Sequence, residues 1–122
     1  MKPTILIVDD DTNLTQLYEA TLKSRGYRTL VANDGEQALE LAEKESPALI
    51  LLDVMMPRVH GLHVLDIVKA TPATKDTKII MLTALGDEAT KEKALEYGAT
   101  DYIVKSESSM ADILDRVGKA LF

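Results

Sequence analysis

The sequence predicts an α/β fold in which helices cover both faces of one parallel β-sheet. Five apolar segments of strand length alternate with five segments of helical periodicity along the chain, which is the pattern of a doubly wound sheet. The central apolar segments are continuously hydrophobic, as strands buried on both faces are. A chain of 122 residues fits one compact domain, so residues 1–122 are predicted to form a single domain.

Five short segments are the predicted strands. Three of them are rich in Ile, Leu and Val and are predicted to be central: Thr4 to Val8, Ala48 to Leu52 and Lys78 to Leu82. The last strand is predicted over Asp101 to Val104. The second, Arg28 to Ala32, has a mixed composition that favours the edge of the sheet.

The helices between these strands are marked by their boundary residues. Gly26 ends the first helical pattern, Asp34 is a candidate N-cap of the second, and Gly61 precedes the third. The fourth pattern is rich in charge and ends at Gly98. A regular apolar stripe over Met110 to Leu121 predicts the fifth helix.

Right-handed connections between parallel strands favour a doubly wound sheet. Of its two common strand orders, five strands suit 2-1-3-4-5, the flavodoxin-like arrangement. In this order the direction of winding reverses between the first and third strands. Ligands of doubly wound proteins bind at this reversal, beyond the carboxyl ends of the strands. The residues that follow the central strands are therefore the candidate site.

Composition excludes several classes of function. The net charge of −6 argues against direct binding of nucleic acid or an anionic membrane by this domain. The absence of cysteine excludes disulfides and thiolate metal sites. The N-terminal residues resemble no signal peptide, and no apolar run approaches the roughly 20 residues of a membrane helix. We expect a cytoplasmic protein with no membrane partner.

Polar side chains follow four of the predicted strands. Asp9 and Asp10 come after the first strand, Asp53 after the third, Thr83 after the fourth and Lys105 after the fifth. Because the carboxyl ends of parallel strands meet at one edge of the sheet, we expect these groups to converge. The three carboxylates repel one another when they are ionised.

A divalent cation would neutralise this cluster. Three carboxylates and one ammonium leave two uncompensated negative charges. Oxygen ligands favour Mg²⁺, for which Mn²⁺ can substitute, over zinc. The adjacent Asp9 and Asp10 are predicted to hold the cation.

The lone acid at the end of the third strand suggests phosphoryl chemistry. A carboxylate can attack phosphorus and form an aspartyl phosphate. Asp53 is the predicted nucleophile, and Lys105 and Thr83 could contact the transferred oxygens.

The chain resembles the receiver domain of two-component response regulators along essentially its whole length. The resemblance is carried by "ILIVDDD", "LILLDVMMP" followed by Gly61, "IIMLTA" and "DYIVK", in this order. It implies that Asp53 is the phospho-acceptor, that Asp10 binds Mg²⁺ directly, and that Asp9 acts largely through water. It also implies that the backbone carbonyl of Met55 is a ligand of the metal, as is Asp53.

The resemblance further implies a switch. Thr83 matches the switch hydroxyl of the family, Lys105 its phosphate-contacting lysine, and Tyr102 the aromatic residue whose rotamer follows activation. Ser106 departs from the family, which usually has proline after the lysine. Since a cis bond before a residue other than proline costs about 3–4 kcal/mol, we expect a trans Lys105–Ser106 bond and an altered loop.

The implied function is a phosphorylation-activated signalling switch, which catalyses only its own Mg²⁺-dependent phosphorylation and dephosphorylation. The expected phosphate donor is a sensor histidine kinase or a phosphotransfer protein. The face formed by the fourth helix, last strand and last helix is expected to change shape and bind a downstream protein or an output domain. The chain is expected to be a monomer or a phosphorylation-dependent dimer.

Other interpretations of the same residues remain open at the level of sequence. The spacing Asp9-x-Asp11 resembles the D-x-D motif of haloacid-dehalogenase-type phosphatases, in which Asp9 would carry the phosphate. A flavodoxin-like flavin binder would instead need a Ser-, Thr- or Gly-rich loop after the first strand. Asp11 and Thr83 could each cap the helix that follows. Tyr102 could simply pack in the core, and both histidines are interpreted as surface residues.

Overall fold

The computed structural model describes residues 2–56 and 59–122. Across these ranges, the chain forms a five-stranded parallel sheet in the order β2-β1-β3-β4-β5. The strands are β1 Thr4–Val8, β2 Arg28–Ala32, β3 Leu49–Leu52, β4 Lys78–Thr83 and β5 Asp101–Val104. The predicted fold and strand order are confirmed, and β2 lies at an edge as its composition indicates.

Five α-helices connect and follow the strands. They are α1 Thr12–Ser24, α2 Gly35–Glu45, α3 Gly61–Ala70, α4 Glu88–Glu96 and α5 Met110–Leu121. A single 3₁₀ turn, Lys105–Glu107, precedes α5. No helix of the described chain has the length and apolar character needed to cross a membrane.

The sheet separates two apolar layers. Leu6 and Val8 of β1 face the layer that contains α2, α3 and α4, whereas Ile5 and Ile7 face the layer that contains α1 and α5. Because successive side chains of a strand point to opposite faces, a strand between two layers must be apolar at every position. This explains the continuous hydrophobic segments of the sequence.

The strands end in near register at the edge that carries the polar residues. Val8 pairs with Leu52, Leu52 with Met81, and Thr83 with Val104. Asp9, Asp53 and Lys105, which follow β1, β3 and β5, therefore lie on the same rim of the sheet as Thr83, the last residue of β4. The backbone N–H of Asp53 donates to the carbonyl of Val8 at 3.0 Å, which fixes the two acidic ends side by side.

Helix caps account for several of the acids. Asp11 caps α1 and accepts hydrogen bonds from the backbone nitrogens of Asn13 at 3.0 Å and Leu14 at 3.2 Å. Asp34 caps α2, as its sequence position predicts, and Asp87 caps α4. Asp11 thus has a structural role apart from its two acidic neighbours, and Thr83 is not the cap of α4.

Gly35 and Gly61 allow the start of α3 to approach the neighbouring backbone closely. A Cβ atom at Gly61 would lie 2.0 Å from the backbone oxygen of Asp53, and one at Gly35 would lie 2.4 Å from the backbone oxygen of Val59. Gly61 also donates its N–H to the carbonyl of Val54 at 2.8 Å. The chain between Val59 and Gly61 is therefore in close contact with both α2 and the residue that ends β3.

We expect Gly61→Ala to lower the free energy of unfolding by at least about 2 kcal/mol, because the added methyl group must displace the backbone of Asp53. Chemical denaturation measures the change. Gly118→Ala is the matched control: no atom lies within 4 Å of its Cβ position, so replacing a helical glycine there should stabilise by about 0.5–1 kcal/mol. Equal effects of the two substitutions would contradict this account of α3.

Candidate functional site

The polar rim of the sheet brings together residues that are distant in sequence. The Nζ atom of Lys105 lies 2.6 Å from Oδ2 of Asp9 and 3.2 Å from Oδ2 of Asp53. The side chain of Lys105 is 18% exposed, that of Asp9 4% and that of Asp53 9%. One ammonium therefore bridges two carboxylates that are largely shielded from water.

Burial and charge act in opposite directions on these groups. Burial raises the pKa of Asp9, although the Lys105 ammonium and the backbone N–H of Asp11 both favour its charged form. For Lys105, burial lowers the pKa, but the hydrogen bond that it donates to Asp9 and the charge of Asp53 together outweigh burial and raise it. Lys105 is therefore firmly charged, and Asp9 holds its charge at an energetic cost.

Asp10 completes a cluster of three carboxylates with Asp9 and Asp53. Each of the three offers an oxygen atom, and these atoms lie within 4.8 Å of one another. Asp10 is exposed whereas Asp9 and Asp53 are buried, so the cluster has one side open to water. An all-oxygen donor set with room for water ligands fits Mg²⁺ or Mn²⁺.

Backbone groups orient two of these carboxylates. Oδ1 of Asp9 accepts from the backbone nitrogen of Asp11 at 2.9 Å, and Oδ1 of Asp53 accepts from the backbone nitrogen of Met55 at 3.3 Å. Met55 therefore lies beside the cluster, with its side chain 57% exposed. The role of its carbonyl as a metal ligand stays a prediction. Pro57, the last residue of the "LILLDVMMP" segment, lies outside the described residues.

Thr83 and Tyr102 are linked through one backbone segment. The buried hydroxyl oxygen of Thr83 accepts from the nitrogen of Leu85 at 3.3 Å. The hydroxyl of Tyr102 donates to the carbonyl of the same Leu85 at 2.6 Å. Because burial chiefly raises the pKa of Tyr102, its hydroxyl remains a donor at neutral pH. The loop between β4 and α4 is thus attached to both side chains.

Tyr102 lies in an inward position. The residue is only 5% exposed, and the bond to Leu85 and the burial of the ring stabilise this position. The assignment of Tyr102 as a switch residue stays a prediction.

Ser106 has the expected backbone geometry. The described residues contain no cis peptide bond, so Lys105–Ser106 is trans. Lys105 begins the 3₁₀ turn before α5, and its side chain still spans both carboxylates. The absence of proline at this position is therefore compatible with the observed reach of the lysine.

Sequence reasoning missed two contributors near the site. His60, interpreted only as a surface residue, is exposed but also caps α3, since its Nδ1 accepts from the nitrogen of Leu62 at 3.2 Å. Leu85 contributes backbone atoms, for which a sequence offers no signal. The position of His60 directly before Gly61 and an apolar helical pattern was an available signal for a cap.

We expect Lys105→Met to lower the free energy of unfolding by about 1–3 kcal/mol near neutral pH, because it leaves Asp9 and Asp53 without their shared donor. A carboxyl group with a raised pKa loses stability as pH rises through that pKa. The deficit should therefore shrink as the pH falls and Asp9 becomes protonated. Denaturation across pH measures this. The control is Lys119→Met, which removes an exposed ion pair with Asp115 and should change the free energy of unfolding by less than about 0.5 kcal/mol. A loss of stability in Lys105→Met that grows on acidification would refute the role of Lys105 as the shared donor of the two carboxylates.

Comparisons with known proteins agree with this geometry. The family model described as "Response regulator receiver domain" matches residues 5–117. The transcriptional regulatory protein CpxR of Escherichia coli is 48% identical over 101 residues, which cover 83% of this chain and 42% of CpxR. The chain spans about half the length, or less, of the curated relatives that it matches.

Solved structures give the same result. The chemotaxis protein CheY4 of Vibrio cholerae superposes with a TM-score of 0.92 at 30% identity. The match covers 99% of this chain and 100% of CheY4. The BeF3-activated N-terminal receiver domain of Klebsiella pneumoniae RstA superposes with a TM-score of 0.90 at 30% identity, covering 97% of each chain.

A family match over nearly the whole sequence, a flavodoxin-like sheet, and an acidic cluster bridged by a lysine at its carboxyl edge lead to one assignment. The chain belongs to the response-regulator receiver domain family, the phosphorylation-dependent switch of two-component signalling.

Proposed function

We propose that this chain, as a single receiver domain, accepts a phosphoryl group on Asp53 from a sensor histidine kinase or a phosphotransfer protein. Mg²⁺, or Mn²⁺ in its place, would be held by Asp9, Asp10, Asp53 and the carbonyl of Met55. The observation that carries the proposal is the ammonium of Lys105, which lies within 3.2 Å of the Asp53 carboxylate at the rim of the sheet. It provides a fixed positive charge beside the group that would be modified.

Among the three acids, the hydrogen bonds favour Asp53 as the nucleophile. Both oxygens of Asp9 are engaged in short hydrogen bonds, at 2.9 Å and 2.6 Å. The bonds to Asp53 are longer, at 3.3 Å and 3.2 Å, and its side chain is more exposed than that of Asp9. A nucleophile needs an accessible lone pair, and Asp53 satisfies this condition better than Asp9.

The proposed transfer is a displacement at phosphorus. An oxygen of Asp53 forms a bond to the phosphorus of a phosphohistidine, and the P–N bond breaks. The imidazole leaves with the electron pair and is protonated. Lys105 lies where it can donate to a phosphoryl oxygen. When bound, the cation supplies further positive charge at the transferring oxygens. Attack of water on the phosphorus would restore the carboxylate and release inorganic phosphate.

Phosphate on Asp53 would favour an arrangement that the chain already adopts. The modification adds negative charge and acceptor oxygens, and the Thr83 hydroxyl and the Lys105 ammonium are the proposed donors to them. If Thr83 keeps its bond to the Leu85 nitrogen as it approaches the phosphate, the bond from Tyr102 to the Leu85 carbonyl is also kept. In this view phosphorylation increases the population of the inward ring, since a ligand acts only through differential contacts.

The output surface would be the face formed by α4, β5 and α5. Of the nine residues of α4, only Ala94 is fully buried, so this helix can shift at low cost. The proposed partner of this face is a downstream protein or an output domain outside these residues. We propose that the domain acts as a monomer or as a phosphorylation-dependent dimer.

The contacts of Asp11 weigh against a phosphatase. A D-x-D mechanism would require Asp11 beside Asp9 as a free acid, whereas Asp11 caps α1 through two hydrogen bonds. The loop after β1 is acidic, which disfavours the phosphate of a flavin. The family match does not lie with either alternative.

We expect phosphoramidate with Mg²⁺ to add one phosphoryl group to the protein. Reduction of the aspartyl phosphate followed by mass spectrometry of the peptides should locate the group at Asp53. Asp53→Asn should abolish the modification, and Asp10→Asn or chelation of the metal should reduce it at least roughly tenfold. Asp11→Asn is the matched control, because asparagine preserves the cap of α1. Phosphate found on Asp9, or a chain that stays unmodified with ample Mg²⁺, would refute the proposal.

We expect beryllofluoride, a phosphoryl analogue, to slow amide exchange in the loop at Leu85 in the native protein. Tyr102→Phe keeps the ring but removes the bond to Leu85, so the loop should exchange faster before addition and gain less protection afterwards. Tyr97→Phe, at the C-cap of α4, is the control. If the gain in protection is the same in all three proteins, Tyr102 has no part in the switch.

A further inference from the structure

We propose that His60 is a positioning residue for the backbone at Asp53, and that protonation of its imidazole removes the cap that holds α3 in place. The inference deepens the proposed function, because Asp53 is the proposed phospho-acceptor. It makes the backbone geometry at Asp53 sensitive to mild acidification. Three observations support it: the atoms of the cap, the seating of α3, and the surroundings of the ring.

The cap requires an unprotonated Nδ1 atom. His60 has the extended backbone of an N-cap, with φ −60° and ψ 143°, and its Nδ1 accepts from the backbone nitrogen of Leu62 at 3.2 Å. A neutral imidazole has one donor and one acceptor nitrogen, so the ring hydrogen must be on Nε2. Protonation would turn the acceptor into a donor facing the Leu62 N–H, and would place a cation at the positive end of a helix.

The first turn of α3 is coupled directly to Asp53. Gly61, the next residue, donates to the carbonyl of Val54 at 2.8 Å, and its Cβ position is 2.0 Å from the backbone oxygen of Asp53. On the other side, the backbone of Val59 is pressed against Gly35 at the start of α2. The segment has little room to move, so loosening the first turn of α3 must loosen the backbone at Asp53.

The surroundings of His60 leave the ring accessible to protons. It lines an open groove of about 240 Å³ between α3 and α4, together with the charged or titratable residues His63, Asp66, Lys93 and Tyr97. Histidine is the capping side chain whose charge changes between pH 5 and 8; an asparagine cap would not change there.

The first test reads the cap itself. Nitrogen-15 NMR of the histidine rings should show His60 of the native chain as the Nε2–H tautomer at about pH 7.5. Amide exchange of Gly61 should accelerate roughly three- to tenfold, relative to its rate in His60→Asn, when the pH falls to about 5.5. The Asn variant keeps a cap at both pH values, so its own rate should follow only the intrinsic pH dependence of amide exchange.

Two further variants separate this role from general stability. His60→Ala should show fast exchange of Gly61 at both pH values, and Asn at the same position should restore the protection. His63→Gln should keep the pH response of the native chain, because the second histidine is not the cap. An Nδ1–H tautomer of His60, or a pH response that persists in His60→Asn, would overturn the proposal.

A functional arm uses the same proteins. We measure the rate of phosphorylation by phosphoramidate at saturating Mg²⁺ in the native chain and in His60→Asn. The ratio of the native rate to the variant rate should be lower at about pH 5.5 than at about pH 7.5. If Asp53 is never phosphorylated while the exchange of Gly61 follows pH as expected, the proposed function fails and the role of His60 stands. If phosphorylation occurs and the ratio is independent of pH, the positioning role of His60 is refuted.

Discussion

Lys105 places one ammonium between two carboxylates that the fold has removed from most of their water. An isolated carboxylate in such a position would be costly, and two adjacent ones would repel each other as well. The parallel sheet creates this problem, because it brings the carboxyl ends of β1 and β3 together, and the end of β5 supplies the compensation. The exposed Asp10 adds a third charge on the water side, where a hard cation can be bound with part of its hydration shell. Stability and chemistry at this rim therefore depend on one shared electrostatic balance.

The remainder of the fold fixes the positions of the charged groups at this rim. Layers of apolar side chains on both faces hold the strands in register, and caps such as Asp11 start the helices at defined positions. The contact of Gly61 with the backbone of Asp53 adds a constraint that is purely steric. As a result, the acids are placed by well-packed elements, whereas α4 buries only Ala94 of its nine residues and is held by fewer apolar contacts.

Much of this arrangement could be predicted from the sequence, for a physical reason. Burial on both faces produces continuous apolar segments, and the topology of a parallel sheet then places Asp9, Asp53, Thr83 and Lys105 on one edge. The position of the Tyr102 ring could not be predicted, because it depends on a bond to a backbone carbonyl that any residue could supply. The cap formed by His60 was overlooked since histidine is a less common cap than Ser, Thr, Asp or Asn. Local patterns report secondary structure and chemistry, whereas contacts between loops depend on tertiary distances.

Under the proposed switch, the hydrogen bond between Tyr102 and Leu85 would bear on the fidelity of signalling. If the output partner binds the chain with the ring inward, a bond that favours this ring position also produces output in the absence of a stimulus. The ratio of stimulated to basal output would then have an upper limit, set by how strongly the unphosphorylated chain favours the inward ring. A stronger bond would raise the background and narrow the dynamic range. Sensitivity and low background would thus place opposing demands on a single hydroxyl group.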